Sequence, residues 1–456
     1  MRHGTRIACT AALLLSLTTA PAAMAADADP THVDGRLPSG ATYMMDVPTT
    51  WNGTVLLFSH GYNAGPANPA QDAPDAPTKA LLLQQGYALI GSSYASTGWA
   101  VTDAVPDQLA TLKAFTIRFG QASRTIAWGR SYGGLVTTAI AERAPDEIDG
   151  SLSMCGLVHG GVANWNNTLD PVFALKTLLG SDVPLVNLPS QEAATDAANT
   201  LTAKVDSAQS TAEGRARIAL ATALHNIPVW NAPTQTRPAA NDWDAQQANQ
   251  YDAVKGLLKI AAFNRRQEAE VRAGGNMSWN TGVDYARLLG KSSVRKEVTA
   301  LYKKAGLSLT KDLAALNRAP RVTADPAAVA WMGTTSSFTG KLAKPQLSIH
   351  TIGDPLVPVQ TESALRRAVT AAGAAALLRR AYVDNAGHCT FSPAEQLAAL
   401  HTLEDRLTTG SWQGADPASL NSRATEADPT TPTRYITYRP TPYLRPYDLA
   451  HPADRR

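Results

Sequence analysis

The sequence predicts an α/β fold: a mostly parallel sheet flanked by helices, with a helical block inserted before the sheet is complete. Three observations carry this expectation. Apolar runs such as 54–59 and 87–92 show no polar alternation, the mark of strands buried on both faces. Those runs alternate with segments of helical spacing, 10 to 15 residues long, which makes a right-handed parallel arrangement. From about His159 to Lys344 the strand-like runs stop, and apolar residues recur at three- and four-residue spacing instead. The chain is 456 residues long, 44% hydrophobic and 17% charged, which leaves room for one large core and an insertion. Its net charge of +3 is spread along the chain and not gathered in a basic stripe, so no nucleic-acid partner is expected.

Residues 1–25 read as a signal peptide. Arg2 and Arg6 form the positive end, 7–17 the apolar core, and Ala23-Met24-Ala25 a small-residue cleavage site near Ala25. A secreted protein is expected. No later run reaches 18 apolar residues, so no transmembrane segment is expected. Cys9 leaves with the leader, and Cys155 and Cys389 remain. Neither sits at metal-ligand spacing and no H-E-x-x-H occurs, so neither metal nor cofactor is expected.

The first part of the core, 26–158, begins with an edge strand at 41–47 and a buried strand at 54–59 that ends in His60-Gly61-Tyr62. A Pro- and Asp-rich loop follows, then a helix at 78–85, a strand at 87–92 and a helix at 106–119. A strand from Thr125 breaks at Gly129, continues as a helix through Glu142, and is followed by a strand at 148–155. In the insertion, 159–344, helices are expected at 191–207, 212–225, 243–273, 294–305 and 310–317. Arg265, Arg266, Glu268 and Glu270 read as a solvated helix face. The second part of the core, 345–411, holds a strand at 346–352 ending in Gly353-Asp354-Pro355, a helix at 361–372 and a last strand at 377–383. A loop to His388 and a helix at 393–408 complete it. The tail, 412–456, is rich in Pro, Thr, Arg and Tyr without a period, and reads as extended.

Gly129-Arg130-Ser131-Tyr132-Gly133 matches G-x-S-x-G between a strand and a helix. That spacing suits a tight turn that holds one serine strained and exposed. Glycines flank it where a β-carbon would meet the neighbouring strand and helix. The amides at the head of the next helix point to where negative charge would develop. A serine is a weak nucleophile alone and needs a base, and the base needs an orienting acid.

With His60-Gly61 after a strand, the elbow at Ser131, Gly353-Asp354 after a strand and Gly387-His388 after the last one, the chain resembles the α/β-hydrolase superfamily over about 40–158 and 345–410. The order Ser…Asp…His is that family's order. The resemblance implies Ser131 as nucleophile, His388 as general base and Asp354 as its orienting acid. Asp384 is the rival acid, on or beside the last strand. The oxyanion hole would use the N–H groups of Tyr132 and Tyr62, with His60 propping its loop. Tyr94 and Trp99, past a strand's C-terminal end, are expected near the substrate. So are insertion aromatics such as Trp165, Trp230 and Trp279, unless they pack the insertion's own core.

The implied activity is a secreted serine hydrolase of carboxylic esters, working through an acyl-enzyme on a small-molecule ester. Ser131-Tyr132-Gly133-Gly134 and Gly353-Asp354 with Val357-Pro358 also resemble prolyl oligopeptidases, and a proline-aminopeptidase type has its cap at the same point. Such a peptidase would need an acid in the insertion to hold an amine: Glu192, Asp242 or Glu268. A non-catalytic binding protein is the third reading. Export and the family's sheet order together imply a Cys155–Cys389 disulfide, against two separate buried thiols. The tannase and fungal-type feruloyl esterase group joins the residue before Ser to the residue after His. Cys389 follows His388, but Arg130 precedes Ser131, so half of that motif is present.

Overall fold

The structure, a computed structural model, describes residue 1 and residues 29–447. Apart from residue 1, the leader read at 1–25 lies outside the described residues. Nine strands form one sheet: β1 Thr31–Arg36, β2 Thr42–Val47, β3 Thr54–Ser59, β4 Ala88–Ser92, β5 Arg124–Arg130, β6 Gly150–Met154, β7 Gln346–Gly353, β8 Leu378–Ala386 and β9 Tyr435–Ile436. Their spatial order is β1-β2-β4-β3-β5-β6-β7-β8-β9. The six from β4 to β8 pair in parallel, and β1, β2 and β9 join antiparallel at the two ends.

The period of two in a strand sorts side chains onto two faces. Val55 and Leu57 of β3 pack on one face beneath the helices Val101–Phe119 and Tyr132–Arg143. Leu56 and Phe58 pack on the other, beneath Ala76–Gln84 and Pro393–Thr409. Both faces are covered, so β3, β4 and β6 are buried throughout, as the apolar runs of β3 and β4 require; in β6 the small Ser151 and Ser153 are buried as well.

Two readings change at the ends of the sheet. The strand placed at the edge, 41–47, is β2, flanked by β1 outside and β4 inside. Only Val33 of β1 is buried, so the sequence there carries no alternation to read. At the other end, the tail is not simply extended. It folds into the helix Pro417–Ala427, capped by Asp416, and then β9 on β8. Leu420 and Ala424, one helical turn apart, bury against the core, which is enough to dock a short helix but too little to show a period. Farther on, Arg445 pairs with the fully buried Asp170 at 2.7 Å and so ties the tail to the insertion.

Between β6 and β7 the chain is helical and builds its own core around Leu169, Phe173, Leu201, Ile218, Phe263 and Leu301. Three helices there had no clear signal: Gly161–Leu178, Tyr285–Gly290 and Pro326–Ser336. The first carries Pro171 inside it and is buried on almost every side, so no polar stripe marks it. The segment expected at 243–273 runs as Trp243–Leu257, a π-helical stretch Leu258–Arg265, and Arg266–Ala273.

Candidate active site

Parallel strands end together, and the loops that leave β3, β5, β7 and β8 meet at one edge of the sheet. Ser131 sits on the turn between β5 and the helix Tyr132–Arg143 with φ 60° and ψ −124°, a conformation that L-residues rarely adopt. The turn needs its glycines. A Cβ on Gly129 would lie 2.4 Å from the carbonyl oxygen of Gly133, and one on Gly133 only 1.8 Å from that of Ser59. The Gly61 backbone also passes close, since a Cβ there would come within 3.8 Å of Ser131 Cβ. The loop after β3 therefore flanks the serine, with Tyr62 on it.

The structure brings Ser131, His388 and Asp354 together. Asp354 is fully buried and its Oδ1 accepts from the amides of Leu356 and Val357, both at 2.9 Å. Its Oδ2 lies 2.7 Å from Nδ1 of His388. A carboxylate only accepts, so Nδ1 carries the proton and Nε2 is left to accept from the Ser131 hydroxyl at 2.7 Å. Burial alone would raise the Asp354 pKa, but His388 and His350 outweigh it and hold the carboxyl down at about 2. Asp384 points elsewhere, into a pair with Arg237 at 2.9 Å on the surface.

His350 lies on β7, one strand position among those expected at 346–352. It is fully buried between two carboxylates, with Nδ1 3.2 Å from Glu362 and Nε2 3.5 Å from Asp354. Burial pushes against its charge, yet the two acids prevail and raise its pKa to about 10. An imidazolium thus backs Asp354 on the side away from His388. The available signal was the one ionisable residue in a strand whose other residues are apolar or uncharged.

Cys155 follows β6, Cys389 follows His388, and the two form a disulfide with Cα atoms 5.4 Å apart. The bridge pins the His388 loop to the strand beside the serine's. With His388 these sulfurs make a compact group, but both are spent in the bridge and offer no thiolate to a metal.

Beside Ser131 opens a narrow pocket. Its walls include Tyr62, Trp99, Tyr132 and Trp165, with Leu157 and Leu257. Trp99 packs on both Tyr132 and Trp165, with ring centres 5.3 and 5.2 Å apart. Of the expected pocket residues, Trp99 and Trp165 line it. Tyr94 is not among its lining residues: it is buried, stacked 4.0 Å from the ring of His60, with its hydroxyl donating to the His60 carbonyl. His60 in turn places its ring nitrogens 2.7 and 3.1 Å from the carbonyls of Gly61 and Ser93. Trp230 and Trp279 do not line this pocket either. Trp230 borders a separate cavity behind Asp354, and Trp279 packs on Tyr447 of the tail.

The charges on 265–270 correct the solvated-face reading, because this stretch lies against the core. Arg266 is buried and donates to Ser278 Oγ at 2.6 Å and the Trp165 carbonyl at 3.0 Å, beside Glu270. Glu268 accepts from the Tyr62 hydroxyl, the Trp99 amide and Arg272. Arg265 lines the pocket itself, and sequence reasoning missed it.

A mostly parallel sheet with a strained serine on the turn after β5, and an acid and a histidine following β7 and β8, defines the α/β-hydrolase fold. No protein-family model matches the chain. It is 29% identical over 428 residues to an o-phthalyl amidase of Xanthobacter agilis, covering 88% of this chain and 93% of that protein. Among solved structures, feruloyl esterase B of Aspergillus oryzae is 15% identical with a TM-score of 0.38, covering 82% of this chain and 80% of that one. The acylaminoacyl peptidase of Pyrococcus horikoshii is 11% identical with a TM-score of 0.40 over 84% of this chain, which spans only 42% of the peptidase. Likenesses that loose bear on neither substrate nor mechanism.

Proposed function

We propose that the protein is a serine hydrolase that cleaves the acyl bond of small carboxylic esters through an acyl-enzyme on Ser131. The observation that carries this reading is the unbroken chain from the Ser131 hydroxyl through His388 to the buried Asp354, each link 2.7 Å. His388 takes the proton as Ser131 Oγ attacks the acyl carbon, then returns it to the leaving oxygen. The tetrahedral oxyanion accepts from the amides of Tyr132 and Tyr62. Water, deprotonated by the same histidine, then attacks the acyl-enzyme and frees the acid. Asp354 keeps the imidazole in the required tautomer and stabilises its cation.

A fold alone does not assign a substrate, so the second reading rests on the relative. The amidase matches nearly the whole chain, which favours an amide of a carboxylate-bearing acyl group such as o-phthalyl. The aminopeptidase reading loses ground on charge. Glu192 is exposed, Asp242 caps a helix, and Glu268 is engaged three times over; none lines the pocket. Export remains part of the proposal, supported by a disulfide that an oxidising compartment would keep. Parallel assays with 4-nitrophenyl acyl esters, an o-phthalyl amide, and Pro- and Ala-4-nitroanilides test the reading. Esters or the phthalyl amide should turn over well ahead of both anilides, and the reverse order would make the protein a peptidase.

A further inference from the structure

Arg265 is the one charged residue among those lining the Ser131 pocket, and no Asp or Glu lines it. Its guanidinium lies 4.5 Å over the ring of Tyr62, yet among the described residues it has no hydrogen-bond acceptor and no carboxylate within 4 Å. A largely buried cation without an anion is costly, and proteins normally pair one. The acid that helical spacing offers it is Glu268, three residues on, and Tyr62, Trp99 and Arg272 already hold that carboxylate. The next residue, Arg266, shows the contrast: it is more deeply buried and fully committed to Ser278, the Trp165 carbonyl and Glu270. Arg265 is the unpaired cation of the pocket that Ser131 also lines.

Local structure aims it there. The π-helical stretch Leu258–Arg265 interrupts an otherwise α-helical run, and Leu257, Ala261 and Arg265, four residues apart, all line the pocket. The cation–π contact with Tyr62 takes up no N–H group in a hydrogen bond, so the guanidinium's donors remain for a ligand. Burial lowers its pKa from the usual arginine value, but an arginine stays protonated at working pH. A planar fork of donors in an aromatic, acid-free pocket matches a carboxylate bidentately.

We propose that Arg265 recognises a carboxylate on the substrate, so that the enzyme selects acyl compounds carrying a negative charge over neutral ones of the same shape. This rests on the assignment of Ser131 as the reacting residue, because both line one cavity. It supplies the specificity that the triad leaves open, and it places the enzyme on hemiesters or half-amides of dicarboxylic acids.

The test compares background-corrected kcat/KM for the 4-nitrophenyl monoesters of glutaric and adipic acid with their neutral isosteres, the 5-methylhexanoate and 6-methylheptanoate esters. Wild type should favour the anionic ester of at least one pair by about 10-fold or more, the worth of a charge-assisted hydrogen bond. Arg265→Gln should lower that anionic-to-neutral ratio by roughly 10- to 100-fold, and Arg265→Lys should restore part of it. A wild-type ratio near one overturns the proposal, and so does an equal loss on both esters in Arg265→Gln. Should Arg265→Gln not fold, the wild-type ratio and the Lys variant decide alone. Calorimetry separates this proposal from the ester reading. If wild type hydrolyses no ester while Ser131→Ala binds glutaric acid monoamide, and Ser131→Ala with Arg265→Gln does not, the ester reading fails and the carboxylate site stands.

Discussion

The triad and the insertion's side of the pocket hold charge in different ways. In the core the charges behind His388 are locked into fixed roles: Asp354 between two histidines and two amides, and His350 between two acids. The insertion holds Arg266 and Glu268 as firmly but leaves Arg265 without an anion at the pocket. On the proposed reading the core carries the proton path, and the insertion adds Trp165, Leu257 and Arg265 to a pocket whose other walls, Tyr62, Trp99 and Tyr132 among them, come from the core.

The sharpest way to break that division is to disable the core. Ser131→Ala and His388→Ala should each lower kcat by about 10⁴-fold or more, and Asp354→Asn by a comparable factor. Asp384→Asn should leave turnover close to wild type, since that carboxylate is held by Arg237 on the surface. Steady-state kinetics on the best ester checks all four. Activity lost with Asp384 and kept with Asp354 would reverse the assignment of the acid.

The core was the legible part because its chemistry demands fixed residue types at fixed places. A serine elbow needs glycines at 129 and 133, and the central parallel strands β3 and β4 read as apolar runs because both their faces are covered. The ends of the chain were harder to read: β1 buries only Val33, and the tail docks through Leu420, Ala424 and Tyr443, single contacts that leave no period. The insertion's charges were misread for a related reason. Helical spacing gives the face a residue is on, but whether that face meets water or another layer is decided by tertiary packing, which no local pattern records. Arg265 and Arg266 are adjacent in the chain and alike in type; only the structure shows one paired and one not.

The next effect concerns the join between the two parts. The disulfide closes 234 residues, the whole insertion included, and holds the His388 loop. Replacing both cysteines by alanine should cost up to about 5 kcal/mol of stability in the chain-entropy account and also reduce turnover. Urea unfolding with and without reductant measures the first, and kinetics the second. Stability lost with turnover intact would mean that the bridge serves the fold and not the base.

A smaller effect is the pH dependence set by His350. Its pKa is about 10 in the folded protein against 6.5 ordinarily, so its contribution is fully present below pH 6.5 and is lost as pH rises through 10. Asp354 works in the other direction: its contribution is present above pH 3.8 and is lost as pH falls through about 2. Melting curves from pH 6 to 10.5 should show wild type losing on the order of a few kcal/mol. His350→Gln should be less stable at neutral pH and lack that decline. A parallel decline in the variant would assign the effect to another group.

Ser131 Oγ is proposed to be the atom that takes the acyl group. Reaction with a fluorophosphonate, followed by digestion and mass spectrometry, reads it directly. The labelled peptide should be the one that holds Ser131, turnover should vanish in step with labelling, and Ser131→Ala should take up no label. A label on another residue, or full turnover in Ser131→Ala, would contradict it.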